Sequence, residues 1–91
     1  MADKPLSDLQ QRVYDLIRMA GWEGKTTDEI EAITGLPHQN ISARVNELAN
    51  WKPEPLIERR GARRKTRAGR PAFIYVQYGL TAVAERERGG A

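Results

Sequence analysis

An α+β fold, three helices followed by a two-stranded β-hairpin, is what the sequence predicts. Three observations carry this. Apolar residues recur at spacings of three and four in three stretches before residue 50, the period of a helix with one buried face. Two prolines, Pro53 and Pro55, then end the helical territory. Beyond them, Ala72 to Tyr78 is rich in aromatic and β-branched residues and is the strongest strand signal in the chain. With 91 residues the chain has room for one core, burying roughly 60–65% of the surface that the unfolded chain exposes. That suffices for residues 1–79 as a single domain, with 80–91 as a short tail, helical or frayed. It does not suffice for a large enzyme with a deep cleft.

The first helix is expected from Ser7 to Ala20, where Leu6, Leu9, Val13, Leu16, Ile17 and Ala20 share a face. Ser7 or Asp8 caps its start and Gly21 supplies a left-handed stop. Trp22 is expected to fold back on the core. Thr26 and Glu29 have the spacing of a capping box, opening a short second helix that Gly35 ends. Ile30, Ile33 and Ala32 are its expected inward residues. Leu36 is the next apolar anchor, and Pro37 suits the first turn of a third helix running from His38 to about Asn50. Ile41, Val45 and Leu48 form the buried stripe of that helix. Leu56 to Arg59 is a short strand, the basic stretch after it a loop, and Ala72 to Tyr78 the second strand, with Ile74 and Val76 inward.

The chain's overall charge of +3 conceals an uneven distribution. Arg59, Arg60, Arg63, Arg64, Lys65, Arg67 and Arg70 fall in one twelve-residue window without an acid, a local charge of +7. The remaining residues carry eight bases against twelve acids, a balance of −4. A dense basic segment on a mildly acidic body is the footprint of a polyanion partner, most often nucleic acid. Other classes lack their parts. There is no cysteine and the one histidine is His38, so thiolate chemistry, disulfides and a histidine-based metal site are not expected. No paired carboxylates or phosphate-cradling glycine loop are visible, and Glu29 and Glu31, two apart on a helix, point away from each other. The expectation is a non-enzyme without cofactor or metal. No apolar run approaches the ~20 residues of a membrane span, and Met1 to Pro5 does not read as a signal peptide, so a cytoplasmic setting is expected.

The stretch from Thr27 to Leu48 carries the functional motif. Gly35-Leu36-Pro37 joins two short helices, and the second offers His38, Gln39, Asn40, Ser42, Arg44 and Asn46 on its exposed side. Asn and Gln bond adenine edges bidentately and Arg bonds guanine, in a major groove about 12 Å wide. This stretch resembles the winged helix-turn-helix family of DNA-binding domains, in the style of small phage or prophage regulators. The match lies in Gly35 at the end of the second helix, apolar Ile41, Val45 and Leu48 at the family's spacings, and strand runs Leu56–Arg59 and Phe73–Val76 in the places of the two wing strands. It spans about residues 6–78. Two positions depart from the pattern. Glu31 stands where the family usually has a small alanine, and Trp51–Pro55 replaces a tight glycine turn.

The resemblance implies double-stranded DNA as partner, helix 38–50 in the major groove and the basic wing 59–71 on the minor groove or backbone. The wing residues are Arg59, Arg60, Arg63, Arg64, Lys65, Arg67, Gly69 and Arg70. Gly69-Arg70-Pro71 also resembles the Gly-Arg-Pro core of AT-hook peptides, which places arginine in a narrow minor groove. The expected function is sequence-specific DNA binding by a transcriptional regulator. The same residues also suit an accessory, non-specific DNA binder in replication, recombination or packaging, or a winged helix that binds a protein. The first helix and the tail from Leu80 are the spare surfaces for a homodimer, including one that forms on DNA.

Overall fold

Ser7 and Thr26 set the starts of the first two helices by the same device. The computed structural model describes residues 5–89. Residues 1–4, on which the reading of the N-terminus rests, and 90–91, the end of the tail, lie outside them. Helix α1 spans Asp8–Met19. The Ser7 hydroxyl accepts from the Gln10 amide at 3.2 Å, and the Gln10 side chain accepts from the Ser7 amide at 2.9 Å. A 3-10 turn, Gly21–Glu23, follows. Helix α2 spans Thr27–Thr34. Its capping box is the expected one, Thr26 Oγ1 accepting from the Glu29 amide at 3.1 Å and Glu29 Oε1 from the Thr26 amide at 3.0 Å. Gly35 closes α2 in the left-handed region, at φ +73°, where a residue without Cβ is unstrained. Helix α3 spans His38–Ala49, with Pro37 at its N-cap.

The helical core is Val13 and Ile17 of α1, Ile30 of α2, and Ile41, Val45 and Leu48 of α3, with Ile57 completing it. Each such residue stabilises by roughly 1.5–3 kcal/mol through removal from water. Leu36 packs against this cluster as expected. The α2 face differs from expectation. Its inward line runs through Thr26 and Ile30, which are fully buried, and Thr34, at a spacing of four. Ile33 lies off the edge of that line and is 48% exposed, and Ala32 is exposed beside it. Thr26, a polar residue at 0% exposure, tolerates burial because its hydroxyl is spent on the cap. Thr26→Ala is therefore expected to lower the urea unfolding free energy by about 1–2 kcal/mol, with Thr26→Ser retaining most of it.

Between α3 and the sheet, the link Trp51–Pro55 folds back on α3. The amides of Trp51 and Leu56 both donate to the Leu48 carbonyl, at 3.4 and 3.0 Å. Strand β1 spans Ile57–Lys65 and β2 spans Pro71–Gln77, paired antiparallel. The expected short strand followed by a long basic loop is thus a long strand and a short turn. A β-bulge accommodates it: Arg59 pairs with Tyr75 and Arg63 with Phe73, so four steps on β1 match two on β2. Gly61, at φ +97°, lies in the extra segment.

Ile74 and Val76 are buried, at 2% and 0% exposure, as the alternation predicted. The opposite face is also covered at this end, because Tyr75 and Ile57 pack on the helical core and Gln77 Nε2 donates to Tyr14 Oη at 3.5 Å. On the other edge of β2, Lys25 pairs with Tyr75 through two backbone bonds of 3.0 and 2.9 Å. Trp22 does not fold into the core. It is 41% exposed, with the Arg60 guanidinium over its ring at 5.1 Å. Helix α4 spans Leu80–Gly89, and the Thr81 amide in its first turn donates to Glu58 Oε2 at 2.9 Å. A carboxylate there satisfies an orphan amide and opposes the positive end of the helix dipole.

Candidate nucleic-acid interface

One face of α3, along its whole length, and the α3-facing side of the hairpin bound an open groove of about 860 Å³. From α3 and its C-cap it is lined by His38, Gln39, Ser42, Asn46 and the cap residue Asn50, and from the sheet side by Arg59, Tyr75 and Tyr78 among others. Gln39, Ser42 and Asn46 recur at three and four, so one helical face carries them. Asn40 and Arg44 lie apart from this groove. Arg44 makes a two-pronged ion pair to Glu47, at 2.7 and 2.8 Å, and Gln10 Nε2 of α1 donates to the same carboxylate at 2.8 Å. Of the six polar residues expected on α3, His38, Gln39, Ser42 and Asn46 line the groove, Arg44 turns to Glu47 beside α1, and Asn40 lies outside both. Asn40 is exposed.

The seven hairpin bases also divide. Register puts Arg59 and Arg63 on the face of Tyr75 and Phe73, and both guanidiniums lie over the Phe73 ring, at 3.7 and 4.6 Å. The ring holds two exposed cations in place on the face continuous with the groove, by the attraction of its quadrupole for positive charge. Lys65 and Arg70 are exposed, and among the described residues neither side chain has a hydrogen bond or ion pair.

The other three bases turn toward their own fold. Arg60 Nη1 donates to the Trp22 carbonyl at 2.8 Å. Arg64 is a staple between hairpin and α2: Nε and Nη2 bond the two Glu29 carboxylate oxygens at 2.7 and 2.8 Å, Nη2 reaches the Gly24 carbonyl at 3.2 Å, and Nη1 reaches Glu23 at 3.1 Å. Arg67 bonds Asp28 Oδ1 through Nε at 2.9 Å, and its amide donates to Asp28 Oδ2 at 3.1 Å. The tip itself, Thr66 to Arg70, is a closed turn. The Thr66 amide donates to the Arg70 carbonyl at 2.8 Å and the Gly69 amide to the Thr66 carbonyl at 2.9 Å, with Gly69 at φ +83°. Gly69 thus serves the turn, with the Arg70 side chain outside it.

No family model matches this chain, and neither a curated protein nor a solved structure matches it. The chemistry of the surface rests on its own residues. Sequence reasoning missed Asn50, Phe73, Tyr75 and Tyr78 as groove and face residues, and missed the acids that hold the hairpin. Asn50 sits four residues after Asn46, one helical turn further along the same face, and that spacing was the signal. For the acids the signal was Asp28 and Glu29 at the start of α2, but nothing in the sequence pairs them with bases more than thirty residues away.

These ion pairs make stability pH-dependent. The Arg67 hydrogen bond holds the Asp28 carboxyl below its ordinary value, and the Arg64 hydrogen bond does the same for Glu29 against the opposing effect of burial. A carboxyl lowered in the folded state contributes stability that is complete above its unfolded value. That contribution is lost as pH falls through the folded one. The thermal midpoint is therefore expected to be flat from neutrality down to about pH 5 and to fall below about pH 4.5, where ordinary carboxylates protonate. Glu29→Gln should lower the midpoint at neutrality and flatten its acid limb.

Proposed function

We propose that the chain is a winged helix-turn-helix DNA-binding protein that reads a specific double-stranded sequence as a transcriptional regulator. In this reading α3 enters the major groove and the hairpin is the wing. The observation that carries it is the shared side of two surfaces: the amide- and hydroxyl-bearing face of α3, with Gln39, Ser42 and Asn46, and, across one groove, the ring-held guanidinium of Arg59 with that of Arg63 beyond it on the same strand face. Amide side chains suit base edges and outward guanidiniums suit phosphates. Lys65 and Arg70 extend the positive face toward the tip, where they would meet the flanking backbone or minor groove.

Selection from a random-sequence duplex library at two salt concentrations tests it. An enriched motif that persists at the higher salt, and that weakens with Gln39→Ala or Asn46→Ala, is the expected outcome. A palindromic motif would add a homodimer on DNA. Salt-sensitive binding without a motif would replace this reading with an accessory, non-specific DNA binder, and absence of binding at ~50 mM salt, where phosphate contacts are strong, would replace it with a protein-binding role.

A further inference from the structure

Glu31 stands on α2 one helical step from Asp28, so the two carboxylates share a face. That face looks onto both halves of the interface. Glu31 Oε2 lies 2.5 Å from Nδ1 of His38, the first residue of α3, and Glu31 Oε1 lies 3.7 Å from Nη2 of Arg67 at the hairpin turn. Asp28 Oδ1 takes the same Arg67 nitrogen at 2.8 Å. The exposures are opposed: the acids are recessed, at 19% for Asp28 and 16% for Glu31, whereas the bases are outermost, at 63% for Arg67 and 68% for His38. Two negative groups thus sit beneath two groups positioned to meet a polyanion, and they engage Nε and Nη2 of Arg67 and Nδ1 of His38, leaving Arg67 Nη1 and His38 Nε2 outward.

We infer that Asp28 and Glu31 are internal phosphate competitors that hold Arg67 and His38 back and so set the affinity of the interface for nucleic acid. This inference rests on the DNA-binding reading above. A phosphate seeking the two-pronged Nε and Nη2 contact with Arg67 must displace the Asp28 carboxylate, and one that takes the outward Nη1 meets a charge already compensated by Asp28 and Glu31. The gain on binding is then the difference between two such contacts rather than the whole of one. Glu31 adds reach to this device. It touches the helix and the hairpin turn together, so both are restrained through one side chain.

The test is a cycle on the full chain with a duplex that the wild type binds, measured across salt concentrations. Asp28→Asn with Glu31→Gln, both close in shape to the originals, should tighten binding by about 5–20-fold at low salt. The freed Arg67 should steepen the slope of log affinity against log salt by about 0.9, the value for one more phosphate neutralised. Arg67→Gln in the wild type should cost less than 2-fold, and the same change in the acid-neutralised protein should cancel most of the gain. Equal costs of Arg67→Gln in the two backgrounds would overturn the inference, because the acids would then act only through overall charge. Weaker binding of the acid-neutralised protein, with an unchanged thermal midpoint, would overturn it in favour of a positioning role. If the wild type binds no duplex at any salt, the DNA-binding reading itself fails; if it binds and the acid variants bind equally, the competitor role alone fails.

Discussion

Gly24→Ala is expected to destabilise the fold by about 4 kcal/mol, enough to lower the thermal midpoint by roughly 20 °C in a domain of this size. Gly24 adopts φ +66°, ψ −169°, a region that only glycine occupies without strain. A Cβ there would also collide with the Tyr75 carbonyl oxygen and approach Ile74 Cγ2 to 2.7 Å and Val76 Cγ1 to 2.9 Å. Backbone and buried side chains surround the position, so nothing soft can yield. The next residue, Lys25, makes the two backbone bonds to Tyr75 that fix β2 against the turn. Gly21→Ala is the control. Gly21 also has positive φ, +59°, but open space surrounds its would-be Cβ, so the cost should be about 1 kcal/mol from backbone conformation alone. Thermal unfolding followed by circular dichroism separates the two, and equal losses would show that backbone angle, not packing, governs the Gly24 site.

On the DNA-binding proposal, Arg59→Ala with Arg63→Ala is expected to weaken duplex binding by about 10–100-fold at moderate salt and to reduce the salt slope by about 2, as two phosphate contacts disappear. The fold should lose little, because both side chains are exposed and rest on one partly buried ring, and each such contact contributes about 0.5–1 kcal/mol. Arg64→Ala should behave in the opposite way. Its guanidinium serves Glu29, Glu23 and the Gly24 carbonyl, so its removal should cost about 2 kcal/mol of stability. Arg64→Lys should not restore it, since a single ammonium cannot reproduce the fork to both Glu29 oxygens. Titrations over a salt series, paired with unfolding midpoints, check both arms. A binding loss from Arg64→Ala as steep in salt as that from the Arg59 and Arg63 pair would mean that the staple opens on DNA.

Local rules made much of this architecture legible. The capping spacing of Thr26 and Glu29, the left-handed Gly35 and the apolar stripe Ile41, Val45 and Leu48 are all written within a few residues of where they act. Ile33 was misleading because a helix of eight residues has too few turns for periodicity to separate its centre from its edge. The hairpin was harder. A basic run reads as a loop when solvation is its only visible support, yet Phe73 and Glu29 give β1 partners that sequence distance conceals. The same long-range pairing explains the divided site. A count of arginines gives the charge of the segment, whereas the direction of each one depends on the bulge at Arg60–Ala62, which alternation alone does not announce.

Glu29 Oε1 accepts both the Thr26 amide that begins α2 and the Arg64 guanidinium of the hairpin. The beginning of one element is thereby fastened to the middle of another, thirty-five positions along the chain. Detaching the hairpin also loosens the first turn of α2, and fraying that turn also releases the hairpin. The two should exchange their slow amide hydrogens as a single cooperative unit with one opening free energy, rather than as a labile flap on a rigid body.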